Sequence, residues 1–434
     1  MKLRGPNGPR STPTSSGTTA SGTTASGSDV HARIEADGND TMSDEPTDPT
    51  RAKHGSRSQE AARRTLQKLG AKMSLRPAPE VPIEERTGKT GALHGVRTAT
   101  ARARPGTYAA IDLGSSSAKM LVLRLAADGS SKVLLDLKIG SALGKGVVPG
   151  EDIPKENQQR ALDALQTFID EADRIGGIDA KDIPMITTAV VRNSRNGAQL
   201  LDAVKALGLT RARTLSGDEE AAMGFAGALA MTKGVSAERS AAAPGRYATL
   251  DLGGGSFQLA VGTEQGMSAG GSTQLGSNII LDEMLAPHAS PTGVGTSAHL
   301  DAVDAALLTK APMPLGVDEL RGRTLVATGG VSKFLRAHFG KDVISREEID
   351  TLRHELIALP YAERAEIVVG TKDDVTKKAL GVDTPEGALD YGKKLPASAS
   401  LLLHILESIG VDEVRVSETD SRHALVQVRA AEPR

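Results

Sequence analysis

The residues of this 434-residue chain best suited to chemistry are a pair of matching Asp-Gly turns. Tyr108-Ala109-Ala110-Ile111-Asp112-Leu113-Gly114 recurs 139 positions later as Tyr247-Ala248-Thr249-Leu250-Asp251-Leu252-Gly253; five of the seven positions are identical and a sixth exchanges Ile for Leu. Each copy leads from a β-prone run through an Asp into a turn of small residues. The first turn is Gly114-Ser115-Ser116-Ser117 and the second is Gly253-Gly254-Gly255-Ser256. Gly and Ser lack bulk, so backbone N–H groups in such a turn can converge on an anion, and the Ser hydroxyls add donors. Asp112 and Asp251, at the strand ends, suit a divalent cation, Mg²⁺ or a similar ion, that bridges to phosphate oxygens. One such hairpin is an ordinary tight turn. Two with Asp in register predict a phosphate-binding cleft between related halves.

The elements that must hold these turns follow from periodicity. Tyr108 to Ile111 and Lys119 to Leu125 read as strands flanking the first turn. Asn157 to Ile175 carries an apolar stripe at Leu162, Leu165, Phe168, Ile169, Ala172 and Ile175, which predicts a helix. Pro184 to Val191 reads as a β-run and Gly197 to Leu207 as a helix. This alternation predicts an α/β layered fold. Leu401, Leu402, Ile405 and Ile409 fall on one helical face and are expected in the core. The His residues, among them His288, His299, His338, His354, His404 and His423, have no metal-ligand spacing and are expected to be structural.

Composition narrows the class. There is no Cys, which excludes disulfides, thiolate metal sites and thiol nucleophiles. No apolar run reaches the ~18 residues of a membrane span, and the Ser/Thr/Gly-rich start has no apolar core of a secretory signal, so the expected compartment is the cytoplasm. Ser16 to Ser28 repeats a five-residue unit with nothing to bury, and residues 1–104 hold 17 Lys/Arg against 11 Asp/Glu. These residues are expected to form a disordered, low-complexity basic tail. Within the tail, Ala62, Leu66, Leu69 and Met73 would share one face of a short basic helix. The whole chain has a net charge of −2, which leaves the body at −8. An acidic body with 2% aromatic residues is not that of a duplex nucleic-acid binder. The body divides into 105–237 with the first phosphate loop and 238–434 with the second.

Five segments, in order, resemble the exopolyphosphatase/guanosine pentaphosphate phosphohydrolase family, within the superfamily of actin, the Hsp70 ATPase domain and sugar kinases. They are the loop from Ile111 to Ser117; Thr188 to Asn196, with Arg192; Ser216-Gly217-Asp218-Glu219-Glu220-Ala221; the loop from Asp251 to Ser256; and, more loosely, Ala327-Thr328-Gly329-Gly330. The resemblance spans about Tyr108 to Leu425. It implies two related actin-like (ribonuclease H-like) domains facing a cleft, and a Mg²⁺-dependent phosphohydrolase. The implied ligand is inorganic polyphosphate or a guanosine penta- or tetraphosphate. Glu220 would then orient the attacking water and Arg192 would clamp the terminal phosphoryl group. Gly114, Ser115, Ser116, Ser117, Gly253, Gly254, Gly255 and Ser256 would bind phosphate. Asp112 and Asp251 would hold metal, with Gln258 at the third metal-side position. Arg422 stands where the family carries an Arg near its C-terminus. Taken singly, Glu219 and Glu220 are ordinary first-turn acids of a helix capped by Ser216, and Arg192 an ordinary ion-pair partner. The ordered set is what assigns them roles.

Three positions depart from that pattern. Ser116 replaces the usual Asn, Phe257 a small hydroxyl residue and Gln258 a Glu. Gln keeps size and hydrogen bonding and loses a charge. These exchanges leave a second reading open, a catalytically weakened sensor of polyphosphate or alarmone. A superfamily kinase is a third. The expected partners are the phosphorylated ligand, a second copy as a homodimer, and an unidentified partner for the basic tail, with no duplex nucleic acid and no membrane.

Overall fold

The computed structural model describes residues 103–230, 245–370 and 372–432. The tail expected over residues 1–104, with its short basic helix, lies outside the described residues up to position 102. Both copies of the repeat build the same unit. In the first, β1 (Gly106–Leu113), β2 (Ala118–Leu125) and β3 (Ser131–Ile139) form an antiparallel meander. The chain then crosses through α1 (Lys155–Gly176) to β4 (Met185–Thr187), parallel to β1. One turn of helix, α2 (Ala189–Arg192), and α3 (Gly197–Ala206) lead on to β5 (Ala212–Thr214), which completes the order β3-β2-β1-β4-β5.

In the second copy, β6 (Tyr247–Leu252), β7 (Phe257–Thr263) and β8 (Gly266–Thr273) repeat the meander. After α5 (Ser277–Ile280), β9 (Thr324–Gly329) returns parallel to β6. With α6 (Gly330–Phe339), β10 (Val343–Ser345), the long α7 (Pro385–Ile409) and β11 (Glu413–Val416), the order is β10-β11-β9-β6-β7-β8. These are the two related α/β domains that the repeat implies.

Two elements tie the halves together. Helix α4 (Gly217–Ala228) is apolar nearly all round because it is covered on both sides. Its Met223 and Ala226 join Ala110, Leu121 and Ile186 of the first sheet, while Ala221, Phe225 and Ala228 join Ala260 and Val326 of the second. The C-terminal helix α8 (Ser421–Ala431) returns to the first sheet through Ala424, Leu425 and Val426. The two helices touch so closely that a Cβ on Gly227 would stand 2.2 Å from the Asp420 carbonyl. Leu401, Leu402, Ile405 and Ile409 are core, as their spacing predicts.

The run from Pro184 to Val191 is not one strand. It ends at Thr187, and Ala189–Arg192 coils into a helical turn. Val190 and Val191 favour strands by local preference, but here both pack into the first core as the chain turns away from the end of β4.

Candidate active site

The two repeated turns have the same internal bond. Gly114 N donates to Ser117 O and Gly253 N to Ser256 O, each at 3.0 Å. The loops face each other in near contact. A Cβ added to Gly254 would lie 1.9 Å from Ser116 Oγ, and one on Gly255 would lie 2.8 Å from Ser115 Oγ, so side chains there would force the loops apart. Ser116, Ser117, Gly253 and Gly254 line a cavity between the domains.

Asp112 and Asp251 end β1 and β6, opposite Lys119 and Gln258 in the neighbouring strands. Burial pushes the Asp112 carboxyl up from its ordinary value, while Lys119, 3.9 Å away, pulls it down. Burial likewise pushes Asp251 up to about 6, again against Lys119. Asp112 Oδ1 is buried and has no hydrogen-bond partner among the described residues. Lys119 is held above its ordinary value, where burial alone would lower it, because Asp112, Asp251 and Asp420 are near. Among the described residues no three His, Asp or Glu side chains form a metal cluster. Two strand-end carboxylates, one with a bare buried oxygen, are nonetheless a donor set that fits Mg²⁺, which is typically held by one or two carboxylates plus substrate phosphates.

Ser216 caps α4, accepting from Glu219 N at 3.2 Å while Glu219 accepts from Ser216 N at 2.9 Å. This capping box turns the neighbouring acids in different directions. Glu219 pairs with Arg213 at the surface, whereas the Glu220 side chain is 11% exposed and faces inward. Arg192 Nη1 donates to Glu220 Oε2 at 3.2 Å and to the Leu215 carbonyl at 2.6 Å. Gln258 Nε2 donates to Glu220 Oε1 at 3.1 Å and also reaches Ser256 Oγ and Ser272 Oγ at 2.9 and 3.0 Å. The Gln258 amide hydrogens are therefore turned to Glu220 and two hydroxyls, which leaves only its carbonyl oxygen for a cation. Burial pushes Glu220 up to about 7, with Arg192 opposing and Asp112 and Asp251 reinforcing the rise.

The cavity is also lined by cations, Lys119, Lys138, Lys333, Lys394 and Arg422, of which Lys138, Lys333 and Lys394 belong to no motif. Lys119 and Lys138 sit directly opposite each other across β2 and β3. Like charges in that register repel unless an anion is shared between them. Burial pushes Lys138 down to about 7, helped by Lys119 and Lys394. The register of the β2–β3 hairpin was the available signal. In contrast, Arg195, Arg211 and Arg213 pair with Asp152, Glu432 and Glu219 at the surface and do not build a basic channel. Arg422 is fully buried. It donates to Asp136 Oδ1 at 2.6 Å, to Asp420 Oδ1 at 3.0 Å and to the Met120 carbonyl at 2.9 Å, and Lys333 completes the network at Asp136 Oδ2, 2.6 Å away.

The duplicated meander-and-crossover unit, with a glycine-rich turn after the first strand of each half, defines the class as a two-domain protein of actin-like architecture. The profile of the Ppx/GppA phosphatase family matches residues 122–368, more than half of the chain, and the chain belongs to that family. It is 27% identical over 326 residues to a guanosine-5'-triphosphate,3'-diphosphate pyrophosphatase of Vibrio atlanticus, covering 74% of this chain and 59% of that one. The Vibrio cholerae protein of the same name is 26% identical over 319 residues, at 74% and 58% coverage. The chain thus spans under two thirds of the length of these curated relatives. Among solved structures, the Aquifex aeolicus family member superposes with a TM-score of 0.53 at 17% identity, over 74% of this chain and 96% of that one. An exopolyphosphatase from Cytophaga hutchinsonii gives 0.53 at 18% identity, over 75% and 97%. These structures share the fold. Among the described residues no helix is long and apolar enough to cross a membrane.

Proposed function

We propose that this protein is a Mg²⁺-dependent phosphohydrolase that removes the terminal phosphoryl group of inorganic polyphosphate or of a guanosine penta- or tetraphosphate by attack of water. The observation that carries this reading is the Glu220 carboxylate, gripped by Arg192 on one oxygen and Gln258 on the other, with a proton affinity near neutrality. A base held at about 7 is ionised for much of the time at neutral pH and still accepts a proton readily, which suits a group that orients and deprotonates water. Each carboxylate oxygen keeps a lone pair beyond its present bond, so a water can be seated without breaking either contact.

Arg192, fixed by the Leu215 carbonyl, offers its remaining N–H groups to the transferring phosphoryl group. The amides of the two glycine-rich turns and the hydroxyls of Ser115, Ser116, Ser117 and Ser256 bind the other oxygens. Asp112 and Asp251 would hold the Mg²⁺, which when bound neutralises phosphate charge. The names of the Vibrio relatives and the family description support a phosphoanhydride as the bond cleaved. Lys119 and Lys138 add positive charge to the lining that a polyanion needs within an acidic body, beside Lys333 and Lys394, which pair with Asp136 and Asp390.

The test is orthophosphate release by the full chain with Mg²⁺, offered polyphosphate, guanosine pentaphosphate and ATP in parallel. Release that falls about a hundredfold or more in Glu220→Gln and Arg192→Ala is the expected outcome. Equal release by both variants and the parent would overturn the assigned roles. Binding without release from any substrate would instead establish the sensor reading that Ser116, Phe257 and Gln258 raise, and ADP formation tied to a small acceptor would establish a kinase.

A further inference from the structure

Three neighbouring strands set a row of charges across the first sheet. Asp112 of β1 stands opposite Lys119 of β2, and Lys119 stands opposite Lys138 of β3. Residues in register point to one face, and each strand spacing adds about 4.8 Å, so the row runs for roughly 10 Å from Asp112 to Lys138. The two ammonium groups part along it. Lys119 Nζ turns back to Asp112, 3.9 Å away. Lys138 Nζ instead reaches the second domain, where it donates to the Leu380 carbonyl at 3.0 Å and lies 4.9 Å from the centre of the Tyr391 ring.

The charged groups that face Lys138 are mostly of its own sign. Lys119 comes from β2, Lys333 from α6 and Lys394 from α7, and the carboxylate in reach, Asp390 of α7, is bonded to Lys394 at 2.5 Å. Lys333 is held by Asp136 and Asp420. Among the described residues no carboxylate pairs with Lys138. Leu380 closes the helix Asp374–Leu380, and a lysine on a C-terminal carbonyl is a common cap. A cap needs one N–H, which a neutral amide supplies, whereas an ammonium offers three. A positive charge opposite Lys119 has a cost that capping alone does not call for. The cost shows in the proton affinity of Lys138, pushed down to about 7 by burial and the neighbouring lysines, and an anion beside it would reverse that shift. Lys138 lines the same cavity as Ser116, Ser117, Gly253 and Gly254, so an anion that reaches it can also lie on the two turns.

We propose that Lys138 binds the phosphate chain of the ligand at a point beyond the reacting group, and so sets a minimum ligand length. The inference rests on the reading of the cleft as a phosphate site. With the reacting end at Asp112 and Asp251, a ligand of two phosphates is too short to follow the row to Lys138, whereas three or more extend along it. The contact made there is charge-assisted on both sides.

The test is equilibrium titration of the full chain with Mg²⁺, with turnover blocked by Glu220→Gln in every sample and pyrophosphate, tripolyphosphate and guanosine pentaphosphate as ligands. Lys138→Gln keeps a donor for the Leu380 carbonyl and removes the charge. It is expected to weaken tripolyphosphate binding about tenfold or more and pyrophosphate binding less than about twofold. Lys138→Arg, which restores the charge, is expected to return tripolyphosphate affinity to within about threefold of the parent. The thermal midpoint of the ligand-free Gln variant is expected not to fall, because a repulsion leaves with the charge. An equal loss for guanosine pentaphosphate would show that its phosphate arm follows the same row, and a loss confined to tripolyphosphate would assign the row to an inorganic chain. An equal loss for pyrophosphate, a loss that Lys138→Arg shares in full, or a lower midpoint with unchanged affinity would overturn the role of Lys138, the last leaving it a helix cap. No binding of any ligand by the Glu220→Gln parent would overturn the phosphate reading itself, a distinct outcome.

Discussion

Replacing Glu220 by Gln should abolish hydrolysis and stabilise the protein at the same time, and the size of the stabilisation follows from the site. Burial holds the Glu220 carboxyl at about 7 against an ordinary value of 4.5. At about 1.4 kcal/mol per decade, keeping that carboxyl ionised in the fold costs roughly 3 kcal/mol at pH 7 to 8. The side chain is 11% exposed, so solvent does little to dilute this cost. The sign is fixed by which state holds the proton. Below pH 4.5 the folded and unfolded chains both keep it, and ionisation costs the fold nothing. Between 4.5 and about 7 unfolding releases the proton, so the penalty grows as pH rises, and above about 7 it stays at its full size. Gln carries no such penalty at any pH and can still hydrogen-bond Arg192. Thermal unfolding of the metal-free parent and of Glu220→Gln, from pH 4.5 to 8, should therefore show midpoints that nearly coincide at the acid end. They should separate by about 5 °C at the alkaline end, with the variant higher. A separation independent of pH, or a variant that melts lower at pH 8, would refute the argument that Glu220 is a carboxylate desolvated at the expense of stability.

Three further outcomes are expected. Gly254→Ala places a Cβ 1.9 Å from Ser116 Oγ, so the loops must part; phosphate affinity measured by titration should fall at least tenfold. Arg422→Leu leaves Asp136 and Asp420 buried without their main partner, and should cost about 3–5 kcal/mol in chemical denaturation. Chelation of divalent ions should stop orthophosphate release and added Mg²⁺ restore it. Because Asp251 is pushed up to about 6, protons compete with the metal, and the Mg²⁺ concentration for half-activation should rise as pH falls through 6.

Much of this architecture is legible in the sequence, and the rest is hidden for physical reasons. The two Asp-Gly turns are local objects, so their repetition announces two hairpins that share the same closing hydrogen bond. Ser216 and Glu219 likewise announce a capping box, which in turn separates the surface acid from the inward one. Arg192 is expected after a strand and instead ends a helical turn, because burial of Val190 and Val191 overrides their local preference. The lysine cluster is hidden for a different reason. Lys119 and Lys138 meet only once the register of β2 and β3 is known, and Lys333 and Lys394 arrive from helices roughly 200 to 260 residues after Lys138.

The way buried charge is handled separates the scaffold from the site. Where Arg422 enters the interior, the chain supplies Asp136, Asp420, a backbone carbonyl and the nearby Lys333, and burial is fully compensated. A few residues away the same sequence leaves charge uncompensated. Among the described residues Asp112 keeps a bare oxygen, Asp251 and Glu220 are pushed up by burial, and Lys138, pushed down to about 7, donates to the Leu380 carbonyl and lies over the Tyr391 ring with no carboxylate paired to it. A fold selected for stability alone would have paired these groups or replaced them with apolar ones. Asp112 and Asp251 share one cation, Lys119, while Lys138 faces Lys119 with no carboxylate paired to it among the described residues, so the region is a cation short at the two Asp and an anion short at Lys138. A divalent cation bound to a phosphate chain would supply both at once, where either ion alone would supply one.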